Sequence, residues 1–149
     1  MPLFTKLEHE LLQALLVADV DFVVVGGGAV VAHGHQRERG DIDILVRQTD
    51  ENLRRLREVQ LDWIGFKDHQ IAELKQLGAK IQDKRRGFDL LTDFHGMDLE
   101  EIFATKVTVE VDGRPLPFMS RGLVIASKKA AVESGKHEQK DLDDIKALS

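Results

Sequence analysis

The stretch FVVVGGGAVVAHG at residues 22–34 decides the expected fold, together with DIDILV at residues 41–46. Its first four residues are aromatic or β-branched and predict a short buried strand over Phe22–Val25. The three glycines predict a turn, and the apolar residues after it predict a short helix from about Gly28. The second stretch predicts another strand.

This second strand carries two acidic residues, Asp41 and Asp43, one residue apart. Because side chains alternate between the faces of a strand, both carboxylates should lie on one face while Ile42 and Ile44 enter the core. Like charges so close together repel each other, and a divalent cation is a natural reason to place them there. The pattern therefore predicts a site for Mg²⁺, or for Mn²⁺ in its place.

The turn Gly26, Gly27 and Gly28 lies just before this strand along the chain. Glycine has no Cβ, so a bulky anion could approach the backbone closely. The free amides at the start of the following helix would face a group above the turn. A triphosphate would fit there, although many strand-to-helix turns need glycine for geometry alone.

The glycine turn followed by Asp41-Ile42-Asp43-Ile44 resembles the signature of the nucleotidyltransferase-fold superfamily. More narrowly, the chain is similar to small bacterial nucleotidyltransferase-like proteins of the antitoxin and AbiEii types. The segments that carry this resemblance are RERGDID at 37–43, FDLL at 88–91 and DLDDI at 141–145. Together they extend over roughly residues 20 to 148.

The resemblance implies an α/β (α+β) fold, with a mixed β-sheet flanked by helices, a C-terminal β-hairpin and two closing helices. It also implies transfer of a nucleoside monophosphate from an NTP to a hydroxyl of a protein, an RNA or a small molecule. Asp89 would be the third metal-binding and catalytic carboxylate beside Asp41 and Asp43. Asp89 lies in an apolar run, where a carboxylate is costly unless it has a partner. Asp93 shares its face by alternation and is the second choice.

Three basic residues are candidates for binding the nucleotide. Arg37 and Arg39 precede the acidic strand and could either clamp phosphate oxygens or act as counter-ions for the carboxylates. Arg39 stands where the similar proteins commonly carry threonine. The resemblance places Lys128 on the helix that closes over the nucleotide, and a solvated helix face is the alternative.

The remaining pattern predicts the elements around this site. We expect a helix from Thr5 to Ala18 capped by Thr5, a second helix capped by Asp50, and a third over 68–77. Strands are expected over 79–82 and 87–94 and in a hairpin turned by Asp112-Gly113, followed by a helix capped by Ser120. Pro115 and Pro117 predict that the return strand of the hairpin is an edge strand. The last helix should direct Leu142, Ile145 and Leu148 inward.

Length and composition set the outer limits. A chain of 149 residues fits a single domain over 1–149, and the lack of cysteine favours a reducing cytoplasm. No apolar run approaches the length of a membrane span, and a net charge of −5 gives no strong nucleic-acid signature. The expected partners are an NTP and a protein that is an acceptor or toxin-like, with a homodimer as a further option.

Two other functions compete with the enzyme. The fold could be retained as a catalytically weak or inactive binding module, such as a toxin–antitoxin component, which the small size and Arg39 favour. A P-loop or dinucleotide-binding domain is set aside. No Gly-Lys-Ser/Thr follows the glycines, and Val31 stands where a third spaced glycine is required.

Overall fold

The computed structural model describes residues 2–149. Its elements follow the chain in the order α1 (Lys6–Val17), β1 (Phe22–Val25), α2 (Gly26–Ala32), β2 (Ile42–Val46), α3 (Asp50–Arg57), β3 (Gln60–Leu61), β4 (Ile64–Gly65), α4 (Asp68–Leu74), β5 (Lys80–Asp83), β6 (Phe88–Leu91), α5 (Leu99–Ala104), β7 (Val107–Val111), β8 (Arg114–Phe118), α6 (Arg121–Glu133) and α7 (Gln139–Leu148).

The main sheet contains strands in the order β5-β6-β2-β1-β8-β7. Strand β1 runs antiparallel to β2 and parallel to β8, whereas β2 runs parallel to β6. Strands β3 and β4 form a separate small hairpin. A mixed sheet with helices, followed by the β7–β8 hairpin and two closing helices, confirms the predicted α+β class.

The two central strands are the apolar runs that the sequence marks as strands. Every residue of β1 is buried, and in β2 every residue except Asp43 is buried. Burial of a large aliphatic side chain contributes roughly 1.5–3 kcal/mol, so these strands anchor the core. Asp43 is therefore fixed at the boundary between the core and the surface.

Helix α1 begins as predicted. Thr5 and Glu8 form a capping box, in which the Thr5 hydroxyl accepts from the Glu8 amide and the Glu8 carboxylate accepts from the Thr5 amide. Leu11, Leu12 and Leu15 are buried in the core. The helix is thus both capped at its start and held by an apolar face.

Several helix ends differ from the prediction. Helix α2 begins at Gly26, which has a φ of +61°, rather than at Gly28. Helix α3 is capped by Thr49, whose hydroxyl accepts from the Asn52 amide at 3.2 Å, and Asp50 lies in its first turn. The helix predicted over 68–77 ends at Leu74, and Leu77, three residues on, is 93% exposed.

The prediction that Pro115 and Pro117 mark an edge strand is wrong. Strand β8 lies between β7 and β1, and the edge is β7. The prolines are tolerated because β8 pairs with β1 only where Phe118 meets Val24. The part of β8 that contains both prolines extends beyond that ladder, where a missing N–H donor costs nothing.

The inward face of α7 is only partly the predicted one, since Leu148 is buried and Ile145 half-buried as expected but Leu142 is not. Leu142 is exposed (38%), whereas Asp141 and Asp144 are buried together with Leu148. A helix period of 3.6 residues allows this rotation, and ion pairs on the two acids stabilise it.

The helices within residues 2–149 include none that combines the length and the apolarity needed to cross a membrane.

Candidate active site

Three carboxylates meet at one end of the central strands. Strands β2 and β6 are parallel neighbours, and their register places Asp43 directly beside Asp89. Asp41 lies one residue before β2, and all three side chains are half-buried. Together they line a cavity of about 730 Å³, which we call the acidic cleft. The structure thus brings together the acids that the sequence analysis grouped.

The three acids interact strongly. Burial raises the pKa of Asp43 to about 6, assisted by the charges of Asp89 and Asp41 and by a hydrogen bond shared with Asp89. Within residues 2–149 the buried Oδ1 of Asp89 has no hydrogen-bond partner. The charge of Lys80 acts in the opposite direction but does not cancel this rise in the pKa of Asp43.

The carboxylates of the acidic cleft suit Mg²⁺. No three His, Asp or Glu side chains in the described part of the chain form a ready-made metal-binding group. Mg²⁺ is usually held by one or two carboxylates together with substrate phosphates and water, so a complete protein cage is not required. The crowded carboxylates and the unpartnered oxygen of Asp89 are oxygen donors of the kind that Mg²⁺ binds. The residues fit the cation.

The three glycines have different surroundings. Gly26 and Gly27 line the acidic cleft, and a Cβ at Gly26 would lie 2.7 Å from Oδ2 of Asp43. Gly26 therefore lets the backbone pass directly against the acid. Gly28 instead faces the core, where a Cβ would lie 2.9 Å from Cγ1 of Val24. Its lack of a side chain serves the packing of α2 on β1.

Two of the predicted basic residues are held by acids of α7. Arg37 and Lys128 both line the acidic cleft, and both bind acids of α7. The Arg37 guanidinium donates to both carboxylate oxygens of Asp144 at 2.7 and 2.9 Å. The Lys128 ammonium lies 2.9 Å from Asp141 and 3.1 Å from Asp144. Arg37 and Lys128 are thus held in place by α7.

Asp144 is the centre of this network and is fully buried. His35 also contacts it, with Nδ1 2.9 Å from the carboxylate. Burial would raise the pKa of Asp144, but hydrogen bonds from Arg37 and Lys128 hold it below its usual value. The sequence prediction missed this role of Asp141 and Asp144. The sequence did contain a sign of this role. Asp141 and Asp144 are three residues apart and so share a face of α7, and the preceding helix carries Lys128 as a possible partner.

Arg39 lies away from the cleft. Its guanidinium binds the Glu8 carboxylate, donates to the Leu3 carbonyl at 3.0 Å and lies over the Phe4 ring. The bonds from Arg39 keep the pKa of Glu8 low against the opposing effect of burial. Arg39 is thus a counter-ion for α1 rather than for Asp41 or Asp43.

The second choice for the third carboxylate also lies outside the cleft. Strand β6 ends at Leu91, and Asp93 is exposed in the following segment. It lines a neighbouring cavity of about 320 Å³, which shares Asp43, Phe94 and His95 with the acidic cleft. Asp89, rather than Asp93, is therefore the acid that adjoins Asp43.

No protein-family model matches the chain, and no curated protein matches it at a significant level.

Proposed function

We propose that this chain is a metal-dependent nucleotidyltransferase, which transfers a nucleoside monophosphate from an NTP to a hydroxyl acceptor. The observation that carries this proposal is the convergence of Asp41, Asp43 and Asp89 beside the Gly26–Gly27 turn. The likeness of these motifs to those of the nucleotidyltransferase-fold superfamily supports the same function. The cysteine-free composition favours the cytoplasm as its location.

The three carboxylates would hold Mg²⁺ or Mn²⁺. When bound, such ions neutralise triphosphate charge and lower the pKa of an attacking hydroxyl. The chain itself contributes placement, which supplies much of the rate in phosphoryl transfer. Gly26 and Gly27 line the same cleft, and their backbone would lie beside the phosphates.

The reaction balances without a further reactant. The acceptor oxygen forms a bond to the α-phosphorus while the bond from that phosphorus to the α,β-bridging oxygen breaks. Pyrophosphate leaves with the electron pair. The hydroxyl proton passes to solvent water. Lys128 and Arg37 line the same cleft and would contact the phosphates there.

The function is tested by incubation with each of the four labelled NTPs, Mg²⁺ and a panel of protein, tRNA and small hydroxylated acceptors. Wild type should transfer label, and Asp43→Asn and Asp89→Asn should lose about 100-fold or more of the rate, equivalent to about 2.7 kcal/mol. Asp93→Asn is the matched control because it removes a nearby acid outside the cleft. Equal transfer by wild type and Asp89→Asn would exclude this mechanism.

A binding module without strong catalysis, such as a toxin–antitoxin component, is the second candidate. One observation favours it: the chain's own acids already occupy Arg39, Arg37 and Lys128, which were expected to serve the nucleotide. Calorimetric titration with Mg²⁺ and each NTP separates the two functions. Binding that requires Mg²⁺ supports the enzyme, and heat from a protein partner alone supports the module.

A further inference from the structure

Strand β7 is one edge of the main sheet, and its outer side is open. It pairs with β8 alone, over Val107 to Val111. Within residues 2–149, its backbone makes no further hydrogen bond to the backbone of another segment. Thr108 and Glu110 of this strand are exposed. An edge of this kind presents unpaired N–H and C=O groups, which are a template for pairing with another strand.

The prolines of β8 show which groups of β7 point outward. Pro115 lies opposite Glu110, and Pro117 lies opposite Thr108. Because proline has no N–H, these two pairs are not the hydrogen-bonded pairs of the hairpin, which alternate with them along an antiparallel ladder. The backbone N–H and C=O groups of Thr108 and Glu110 therefore point away from β8, towards the open side.

The other open edges of the sheet carry features that prevent pairing. The same alternation turns the nitrogens of Pro115 and Pro117 to the side where β8 extends beyond β1, so that side offers no donor there. Strand β5, at the far edge, begins with the exposed Lys80 and is followed by the exposed Lys84 and Arg85. Charged side chains of this kind oppose the pairing of edges. Strand β7 contains neither proline nor lysine.

The sequence of β7 is complementary to itself when two copies are related by a two-fold axis at Val109. An antiparallel pair about this axis places Val109 beside Val109 of the second copy and Thr108 beside its Glu110. Val107 then meets Val111. The threonine hydroxyl can donate to the glutamate carboxylate, and the valines share one face. Because Val107 is 38% exposed and Val109 half-buried, pairing covers apolar surface that one copy leaves open.

We propose that β7 pairs with β7 of a second copy of this chain, antiparallel about Val109, and so forms a homodimer with one sheet continuous through both copies. Thr108 of each copy exchanges two backbone hydrogen bonds with Glu110 of the other. The match of the strand to itself favours a second copy over an unrelated strand. No residue of β7 lines the acidic cleft, so the dimer stands independently of the proposed enzyme activity.

The register is tested with single cysteines, because the chain has none of its own. Val109→Cys places two thiols in the pair on the axis, where Cα atoms are about 4.5 Å apart, within the span of a disulfide. Glu110→Cys, the matched control, places them on the diagonal at about 7–8 Å, beyond that span. Mild oxidation should convert most of Val109→Cys and little of Glu110→Cys to a covalent dimer. Equal crosslinking of the two overturns the proposal.

The charge pattern is tested by sedimentation equilibrium from about 5 to 500 µM, because a small interface associates weakly. Wild type should dimerise in this range. Thr108→Lys should dimerise roughly two- to tenfold more tightly, because each lysine meets Glu110 of the other copy, and Thr108→Glu more weakly by a similar factor. Gln82→Lys and Gln82→Glu make the same changes at an exposed position of the edge strand β5 and should dimerise like wild type.

Glu110→Pro separates pairing from folding. Because the N–H of Glu110 points outward, proline there should be tolerated as it is in β8, and the circular dichroism spectrum should match that of wild type. The variant lacks a donor in both copies and should dimerise about tenfold or more weakly. The proposal is overturned if wild type stays monomeric up to about 500 µM, if both Thr108 variants shift dimerisation in the same direction, if the Gln82 variants alone shift it, or if folded Glu110→Pro dimerises like wild type.

Discussion

Asp43 and Asp89 are direct neighbours on the parallel strands β2 and β6, with their Cα atoms in register. Parallel pairing brings two acids from distant segments onto one face, although like charges so placed destabilise a sheet. Burial raises the pKa of Asp43, and the charges of Asp89 and Asp41 add to that rise. Such a pair persists where its function outweighs its cost in stability.

The substitution Asp43→Asn should stabilise the protein at neutral pH. The folded-state pKa of Asp43 is about 6 and the unfolded value is 3.8, so the folded state binds the proton more tightly. The stabilisation from this proton is complete below the unfolded pKa and is lost as pH rises through about 6. Urea unfolding measures the free energy of unfolding of wild type and of Asp43→Asn. The variant's advantage in this free energy should grow by about 1–3 kcal/mol between pH 4 and pH 7.

The difference between the two proteins is the informative quantity, since acids with lowered pKa, such as Asp144, give the opposite slope in both. Asp93→Asn provides the control and should follow wild type. A difference that does not change with pH would show that folding does not raise the pKa of Asp43.

Mg²⁺ should raise the melting temperature of wild type at pH 7.5. A ligand that binds only the folded state stabilises it by RT ln(1 + [L]/Kd), about 2.7 kcal/mol at 100 times Kd. The shift should shrink below pH 6, where Asp43 retains its proton. Thermal unfolding at 10-fold steps of Mg²⁺ concentration, with Ca²⁺ as comparison, measures this shift in melting temperature. If Asp89→Asn showed the same shift as wild type, the cation would bind elsewhere.

Loss of the buried charge at Asp144 should destabilise the fold. Asp144→Asn leaves Arg37 and Lys128 without their shared partner, and breaking a buried ion pair costs roughly 3–5 kcal/mol. Asp143→Asn removes an exposed acid from the same helix and should change stability by less than about 0.5 kcal/mol. Chemical denaturation measures the stability of both variants. Similar denaturation midpoints would mean that the ion pairs of Asp144 contribute little to the stability of the fold.

Gly28→Ala should destabilise the protein by about 1–3 kcal/mol. Its new Cβ would lie 2.9 Å from Cγ1 of Val24 in a fully buried strand, which produces overpacking. Gly122→Ala is a suitable comparison, because it is also helical and nothing lies within 4 Å of its Cβ position. Alanine there should stabilise by up to about 1 kcal/mol. Equal effects of the two substitutions would contradict the packing role of Gly28.

The sequence predicted the parts of this fold that depend on local pattern. The apolar runs gave β1 and β2, alternation placed Asp41 and Asp43 on one face, and Asp89 was identified because it interrupts an apolar strand. Pairing between distant segments was harder to predict. The prolines of β8 suggested an edge, although the sheet continues past them through Phe118.

The helix α7 shows why the rest could not be predicted. Apolar spacing favoured Leu142 as an inward residue, but Asp141 and Asp144 turn inward because cations from α6 and from the segment after α2 meet them there. Burial of an acid depends on partners supplied by other elements, which a pattern within one helix cannot show.

The most direct measurement is anomalous diffraction from crystals soaked with Mn²⁺ and a non-hydrolysable NTP analogue. An anomalous peak is expected within about 2.5 Å of carboxylate oxygens of both Asp43 and Asp89, with the nucleotide phosphates completing the coordination. A nucleotide bound with Mn²⁺ away from these two residues, or no anomalous peak in the acidic cleft at saturating Mn²⁺ and nucleotide, would contradict the proposed enzyme.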